Sequence, residues 1–303
     1  MFRHFTGLIR SHKILISNII VKHNNTFCTM SDIKPNTTGI PLSQVVDTLQ
    51  DFAALSLADS WDNVGLLVEP TEKKLISHIL LTNDLTENVM QEALDLKTDM
   101  IITYHPLIFA PVKSITTRSW KEKIVAKCLE NKIAVYSPHT TFDSVKGGVN
   151  DWLVSSFQDV LKSSIPIRAN ESNSDYGFGR ICTLKNKISI EEAVQRVKEH
   201  TNLKHVRLAR AYQTDGFIET VALCAGSGAS VLKDVSADLY LTGEMLHHEV
   251  LDAIHHGTNV ILTNHSDSER GFLKIFSFML TNMLNEAVLV HVSKCDTDPL
   301  KTV

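Results

Sequence analysis

The sequence lacks two features that would place it in other protein classes: long apolar runs and paired cysteines. No apolar run reaches the ~18 residues that a membrane-spanning helix needs. The cysteines are odd in number and none belongs to a Cys-x-x-Cys pair; they are Cys28, Cys128, Cys182, Cys224 and Cys295. The sequence therefore predicts neither a membrane protein nor a disulfide-stapled one, and it favours a reducing compartment with buried thiols.

Acidic residues are absent from the first 31 positions, where the basic residues are Arg3, Arg10, Lys13 and Lys22. A basic, acid-free segment with a short apolar run is typical of a mitochondrial presequence. A disordered tail would have the same composition, and Met30 could serve as an internal start that gives a cytosolic form. We therefore expect residues 1–30 to be a presequence-like or disordered tail. The expected location is mitochondrial, cytoplasmic or both, with a nuclear location only through a partner.

Strongly basic character is missing from the chain as a whole. Its 34 acidic residues outnumber its 30 basic residues, which gives a net charge of -4 with histidine neutral. Clustered Lys and Arg drive binding to the phosphate backbone of nucleic acids. The composition thus argues against direct binding to nucleic acid, and it leaves proteins and small molecules as the expected partners.

What the sequence does have is a repeated alternation of apolar strands and amphipathic helices. Strands are predicted at 66–68, 79–82, 100–104, 133–136, 180–184, 206–211, 220–224, 238–241, 260–262 and 287–292. Helices are predicted at 42–57, 87–96, 120–130, 148–157, 190–200, 245–255 and 266–284. Continuous apolar strands that alternate with helices indicate an α/β fold with mostly parallel sheets, covered on both faces.

A polar stretch at 162–186 interrupts this alternation, with Asn170, Ser172, Asn173 and Ser174 close together. We therefore predict two linked α/β domains with a small β-α-β insert between them. The predicted ranges are an N-terminal α/β domain at 31–160, a linker and insert at 161–218, and a C-terminal α/β domain at 219–303.

Most predicted strands end in groups that can bind a metal or a substrate: Asp84, His105, His139, Gly226, Glu244 and His265. In open α/β sheets, ligands bind outside the carboxyl ends of the strands, so a common edge would bring distant residues together. Asp143 and Glu269 each follow one of these histidines by four residues. Imidazole and carboxylate groups suit a first-row divalent metal, and we expect a metal site at this edge.

The pair His265 and Glu269 has two interpretations, a ligand pair and a helix start signal. If a helix begins at Ser266, positions 265 and 269 share one face and the imidazole stands beside the carboxylate. Ser266 and Glu269 equally fit the S-x-x-E capping box, in which the glutamate only marks the start of a helix.

Other candidate groups have structural interpretations. The turn Ala225–Ala229 could cradle a phosphate, but it lacks the full G-x-G-x-x-G spacing and favours a tight turn. The histidines of one predicted helix are expected at a solvated surface or an intersubunit face: His247, His248, His255 and His256. The three tryptophans, Trp61, Trp120 and Trp152, are expected to be core or interface anchors in preference to a stacking platform.

Five short pieces of the sequence occur in an order that resembles a known family. They are Ser60–Leu66 (SWDNVGL), Tyr104–Pro106 (YHP), His139–Asp143 (HTTFD), Leu241–Glu244 (LTGE) and Asn264–Gly271 (NHSDSERG). Together they resemble the NGG-interacting-factor-three-like family, also labelled type 2 GTP cyclohydrolase I, and look closest to its animal members. The resemblance runs from about residue 40 to the C-terminus.

The resemblance implies two α/β domains assembled into a ring-shaped homohexamer, with a two-metal centre of Zn, Mn or Fe. Its metal ligands carry over to His105, Asp143, His265 and Glu269, and Glu269 and Asp143 are the implied catalytic carboxylates. Bacterial members have two adjacent histidines where this chain has Tyr104-His105, so one ligand is missing here. A phenol with a pKa of about 10 is a poor metal ligand, which leaves the second metal open.

The resemblance also leaves two functions open. A two-metal centre would polarise a phosphoryl or carbonyl oxygen, which predicts a hydrolase for a small phosphorylated or nucleotide-like substrate. The family's name instead refers to binding of a transcriptional regulator, and animal members resemble co-repressors that work through protein partners. The acidic body of the chain suits that second function, since it favours protein contacts over DNA contacts.

Overall fold

The fold of the chain is given by a computed structural model that describes residues 38–212 and 214–302. The strands are β1 (Ile40–Pro41), β2 (Gly65–Val68), β3 (Leu75–Ile76), β4 (His78–Thr82), β5 (Met100–Thr103), β6 (Ala134–Ser137), β7 (Leu161–Ala169), β8 (Gly177–Ser189), β9 (Arg207–Ala209), β10 (Phe217–Cys224), β11 (Leu239–Thr242), β12 (Asn259–Leu262) and β13 (Leu289–Val292). The helices are α1 (Leu42–Phe52), α2 (Glu87–Asp95), α3 (Trp120–Glu130), α4 (Thr140–Ser144), α5 (Val149–Val154), α6 (Ile190–Thr201), α7 (Ala229–Leu232), α8 (His247–His255) and α9 (Phe272–Met283). The tail expected at residues 1–30 lies outside the described residues.

The first sheet has the strand order β13-β4-β5-β6-β2. The strands β13, β4, β5 and β6 run parallel, and β2 pairs antiparallel with β6 at one edge. All residues of β5 and β6 are buried, as expected for parallel strands covered on both faces. Because β4, β5 and β6 point the same way, the residues that follow them meet at one edge of the sheet.

The second sheet has the strand order β7-β8-β10-β11-β12-β9. Its central strands β10, β11 and β12 are parallel, whereas β8 and β9 pair antiparallel with β10 and β12. The α/β fold with parallel strands is therefore confirmed, and antiparallel strands complete this sheet on both sides.

The segment 161–218, expected as a linker and a β-α-β insert, contributes strands to the second sheet. Its polar first part forms β7 and β8, a long antiparallel pair in which β8 lies against β10. The strand β7 lies at the edge of the sheet and leaves most of its residues partly or fully exposed. An edge strand needs few apolar residues, which is why its sequence looks like a linker.

The two sheets share one apolar core. Ile79 and Leu81 of β4 belong to the same buried cluster as Val221 and Leu223 of β10. Helix α9 adds Phe276 to that cluster. The alternate residues of these strands point into two outer clusters, one on each sheet. The residues that the structure describes accordingly form one compact unit.

The chain returns to the first sheet at its C-terminal end. Strand β13 pairs in parallel with β4, with Leu289 opposite His78 and Val292 opposite Leu81. Residues of the range 219–303 thus complete the sheet formed by the N-terminal half. None of the described helices is both long and apolar enough to cross a membrane.

Candidate metal centre

Three of the predicted ligands come together between the two sheets. One ligand atom each of His105, His265 and Glu269 lies within 4.8 Å of the other two. His105 follows strand β5 of the first sheet, and His265 follows strand β12 of the second. The centre is thus assembled from the carboxyl ends of strands in both sheets, as the strand-end pattern indicates.

Glu269 is the buried member of this group, with 3% of its side chain exposed. Its Oε2 lies 3.4 Å from Nε2 of His105, and its Oε1 lies 3.4 Å from Nε2 of His265. The side-chain amide of Asn83 donates a 3.0 Å hydrogen bond to Oε2. Burial alone would raise the pKa of Glu269, but His105, His265 and Asn83 hold this pKa below its ordinary value. The carboxylate is therefore anionic at neutral pH.

Each ligand histidine is backed by a second carboxylate. Nδ1 of His105 lies 2.9 Å from Oδ1 of Asp84, and Nδ1 of His265 lies 2.8 Å from Oε1 of Glu244. A metal-binding imidazole commonly donates its other ring N–H to a carboxylate, which fixes the ring and directs the free nitrogen at the metal. In both residues the free nitrogen is Nε2, which faces Glu269.

The residues fit a divalent cation. Nε2 of His105 is buried and has no hydrogen-bond partner. Burial would lower the pKa of His105, but the charge of Glu269 and the hydrogen bond with Asp84 raise it to about 10. Two imidazoles and a carboxylate, with an unsatisfied nitrogen among them, form a donor set typical of Zn, Mn or Fe.

A turn, and not a helix, brings His265 and Glu269 together. Asn264 adopts a left-handed conformation with φ of 73°, a 3-10 turn covers Ser266–Ser268, and α9 begins only at Phe272. The helix predicted to begin at Ser266 therefore begins six residues later, at Phe272, because a 3-10 turn takes up Ser266–Ser268. Ser266 and Glu269 do not form a capping box. The N–H of Ser266 donates to Asp298, and the Glu269 carboxylate faces the histidines.

Asp143, the fourth predicted ligand, lies next to the three-residue cluster but is not part of it. Its Oδ1 accepts a 2.5 Å hydrogen bond from the phenol of Tyr104. Burial raises the pKa of Asp143 to about 6, although the Tyr104 hydrogen bond works in the opposite direction. Burial and the charge of Asp143 also raise the pKa of Tyr104 well above its ordinary value, so the phenol keeps its proton.

His139 is held in place beside the centre. Its Nδ1 lies 2.7 Å from Oδ1 of Asp62, whose other oxygen accepts hydrogen bonds from the backbone and hydroxyl of Thr140. The His139 ring lies 5.4 Å from that of His105, measured between centroids. Its φ of 34° is a strained backbone conformation, and such strain costs about 1–3 kcal/mol and is found mostly at functional sites.

Sequence reasoning missed the residues that tie the C-terminal segment to this centre. The backbone N–H of Asn83 donates a 2.7 Å hydrogen bond to Asp296, and the hydroxyl of Ser266 donates one of 2.7 Å to Asp298. Both aspartates are buried, and Arg270 pairs with Asp296. We call Asp296 and Asp298 the C-terminal clamp. Nothing in the local sequence marks these residues, because their partners lie far away along the chain.

The glycine turn after β10 packs against the metal ligands. Gly226 has a φ of 64°, and a Cβ atom placed on it would lie 2.4 Å from Oε1 of Glu269. Its N–H donates to the hydroxyl of Ser268, and the N–H of Gly228 donates to that of Thr242. Both N–H groups thus already donate to side chains of the protein, which favours a tight turn over a phosphate-binding loop.

The remaining candidates divide between surface and core. The four histidines on and beside α8 are exposed, as expected for a solvated face. Trp152 is buried. Trp61 and Trp120 are 56% and 48% exposed, so within this chain they are not core residues.

Comparison with known proteins agrees with the resemblance seen in the sequence. The profile of the family described as Duf34/NIF3 (NGG1p interacting factor 3) matches residues 40–299. NIF3-like protein 1 of Drosophila melanogaster is 48% identical over 267 residues, which cover 88% of this chain and 90% of the fly protein. NGG1-interacting factor 3 of Saccharomyces cerevisiae is 37% identical over 282 residues, which cover 87% of this chain and 97% of the yeast protein.

Solved structures show the same fold. The crystal structure of a Bacillus cereus protein related to NIF3 superposes with a TM-score of 0.77 at 22% identity, covering 87% of this chain and 99% of that one. The family profile spans both sheets and every residue of the candidate centre. The chain belongs to the Duf34/NIF3 (NGG1p interacting factor 3) family.

Proposed function

We propose that the chain is a divalent-metal-binding hydrolase-like protein that acts on a small phosphorylated or nucleotide-like substrate. One observation carries the proposal: buried Glu269 lies 3.4 Å from Nε2 of both His105 and His265. Two imidazole nitrogens that converge on a buried carboxylate, each imidazole backed by a second carboxylate, form a donor set that suits a divalent cation. Partial exposure of His265 and Glu244 supports a catalytic role over a purely structural one, because a substrate could reach the centre from solvent.

Each residue has a distinct part in this proposal. His105, His265 and Glu269 hold the cation, which supplies Lewis-acid polarisation of a phosphoryl or carbonyl oxygen when bound. Asp143 is proposed as a further ligand and, with Glu269, as a catalytic carboxylate. Asp62 fixes Nδ1 of His139, which suits His139 to take a proton from an attacking water.

The number of metal ions depends on Asp143. A second ion beside the three-residue cluster would need this carboxylate, and Tyr104 donates a hydrogen bond to its Oδ1. Tyr104 itself keeps its proton and supplies no ligand oxygen of its own. A two-metal centre of Zn, Mn or Fe would therefore need Asp143 in its ionised form as a further ligand.

A second candidate function is a non-catalytic interaction protein. Its support is the name of the yeast relative, NGG1-interacting factor 3, which describes binding to another protein. In this form the chain would act as a co-repressor or scaffold through protein partners, and its metal would serve structure. Self-association into a homohexamer is compatible with both candidates and remains a proposal, as does a mitochondrial or cytoplasmic location.

Metal content per protomer tests the first proposal. The chain is purified without added metal and analysed beside His265→Ala and Glu269→Ala, with His247→Ala as a surface histidine control. One or two equivalents of Zn, Mn or Fe that are lost in the first two variants and kept in the control would support the metal centre.

Activity then separates the two functions. A hydrolase predicts that Glu269→Ala abolishes turnover and preserves assembly, whereas a scaffold predicts that partner binding survives removal of the metal by a chelator. A folded protein that holds no metal even after reconstitution would overturn the hydrolase and leave the interaction protein.

A further inference from the structure

Two exposed aromatic side chains stand beside the metal centre. Trp61 is 56% exposed and Phe109 is 50% exposed. Their ring centroids are 6.0 Å apart and their planes meet at 54°. We call this pair the aromatic rim. Large aromatic side chains left in water are costly, and two in contact form an apolar surface of the kind that binds ligands.

The backbone beneath the aromatic rim is fixed by hydrogen bonds. Asp62, next to Trp61, is buried and accepts hydrogen bonds from Thr140. The side-chain amide of Asn63 donates a 2.6 Å hydrogen bond to the carbonyl of Ile108, next to Phe109. The turn that carries one ring is thus tied directly to the loop that carries the other. A pre-organised surface of this kind loses little conformational entropy when it binds a ligand.

The aromatic rim adjoins the metal ligands through a single ring. Trp61 packs edge-on against His139, with centroids 5.8 Å apart. His139 in turn lies 5.4 Å from His105. A small molecule at the metal centre that extends past His139 would therefore reach Trp61.

We propose that the aromatic rim binds the planar aromatic ring of a substrate whose phosphoryl group reaches the metal centre. This inference rests on the proposed function and narrows it to ligands that join a flat ring to a phosphoryl group. Stacking tolerates different rings, since every aromatic base has a π face. The rim therefore supplies affinity for ring-bearing ligands, and His105, His265 and Glu269 supply the site for the phosphoryl end.

The test compares a ligand that has a ring with ligands that lack one. Dissociation constants of adenosine monophosphate, ribose 5-phosphate and inorganic phosphate are measured by calorimetry on the Mn²⁺-loaded full chain. The variants are Trp61→Ala, Phe109→Ala and the conservative Trp61→Phe. Trp120→Ala is the matched control, because Trp120 is similarly exposed at the start of α3, where it pairs with Lys121.

We expect Trp61→Ala to weaken binding of adenosine monophosphate by about tenfold or more, the range that loss of a stacking partner produces. Binding of ribose 5-phosphate and inorganic phosphate should change less than twofold. Trp61→Phe should recover most of the lost affinity, and Trp120→Ala should bind all three ligands as the wild type does. Tryptophan fluorescence should be quenched by adenosine monophosphate in the wild type and not in Trp61→Ala.

Three results would overturn the inference. If inorganic phosphate binds and Trp61→Ala leaves the affinity for adenosine monophosphate unchanged, the rim is not a stacking site, although the proposed function stands. If Trp61→Ala changes the oligomeric mass in light scattering without changing that affinity, the rim is a subunit contact. If the loaded wild type binds none of the three ligands, the proposed substrate class fails together with the rim.

Discussion

The phenol of Tyr104 donates a hydrogen bond of 2.5 Å to Oδ1 of Asp143; Tyr104 is buried and Asp143 is partly buried beside the candidate metal ligands. The hydrogen bond stabilises the ionised carboxylate, whereas burial and the charge of Glu269 favour the protonated form. Together these effects leave the pKa of Asp143 at about 6, close to physiological pH. Tyr104 therefore makes the largest of the contributions, together with His139 and His105, that keep Asp143 mostly ionised at neutral pH.

Replacement of Tyr104 by phenylalanine removes this donor with little change in shape. Since the hydrogen bond lowers the pKa of Asp143, Tyr104→Phe should raise this pKa above about 6. Carbon-detected NMR of the metal-free protein measures the titration, with the resonance assigned by Asp143→Asn. Tyr240→Phe is a matched control, because the Tyr240 hydroxyl donates to the carbonyl of Val235. An unchanged titration midpoint in Tyr104→Phe would contradict the prediction.

Metal binding should release a proton from His105. With a pKa of about 10, this imidazole is protonated at pH 8 in the metal-free protein, and a cation must displace the proton to bind Nε2. We expect release of about one proton per metal at pH 8 and an affinity that rises as pH approaches 10. Calorimetry in buffers of different ionisation enthalpy measures this number.

A variant of Asp84 provides the control for proton release. The hydrogen bond with Asp84 raises the pKa of His105, so Asp84→Asn should lower this pKa and reduce the number of protons released. Release of no proton by the wild type at pH 8 would show that His105 is already neutral or does not bind the metal.

Gly226 should be essential for metal affinity, through the space that it leaves for Glu269. In Gly226→Ala the new methyl group would lie 2.4 Å from Oε1 of Glu269, so the carboxylate must move. Gly257 is a matched control with φ of 83° and no atom within 4 Å of its hypothetical Cβ. Both variants should lose about 1–2 kcal/mol of stability from the left-handed backbone, measured by urea unfolding of the metal-free proteins.

Metal titration distinguishes the two glycine variants. Only Gly226→Ala should lose metal affinity, by about tenfold or more, as expected when a ligand is displaced. Equal metal affinity in the two variants would mean that Glu269 moves without consequence, and would count against its place in the centre.

The C-terminal clamp should tune the metal centre from a distance. Asp296 accepts the N–H of Asn83, and Asn83 in turn donates to Glu269, so Asp296→Ala should weaken Co²⁺ binding by about tenfold and shift its absorption spectrum. Asp296→Asn keeps an acceptor oxygen and should restore most of the affinity. Asp175→Ala is the control, since the Asp175 carboxylate pairs with exposed Lys146 at the surface. A loss of thermal stability with an unchanged Co²⁺ spectrum would make the clamp purely structural.

The sequence predicts three residues that the structure brings together, His105, His265 and Glu269, because their signal is local. His105 and His265 each follow a short apolar strand, and parallel strands place their carboxyl ends at one edge. The sequence also predicts Asp84 and Glu244 as strand-end groups. It does not predict their hydrogen bonds with His105 and His265, because it does not show which strands are neighbours.

Other features could not be predicted, because they depend on contacts between distant parts of the chain. Asn83 contacts residues more than 180 positions away, and Asp296 has no distinctive local pattern. Strand β7 exposes polar residues at the edge of its sheet, which makes it resemble a linker. The sequence does not distinguish the two roles expected for Trp61, core or interface anchor, and the 56% exposure of this side chain shows that it is not a core residue of this chain.

The position of β13 beside β4 governs the order in which the chain can fold during synthesis. Strand β4 pairs on one side with β5, which lies in the first half of the chain, but its other edge waits for residues 289–292 of β13. Until those residues leave the ribosome, an apolar strand with an open edge is exposed to pairing with other nascent chains. A premature stop after β6 and before β13 is therefore expected to yield an aggregation-prone product, because the open edge of β4 is never covered.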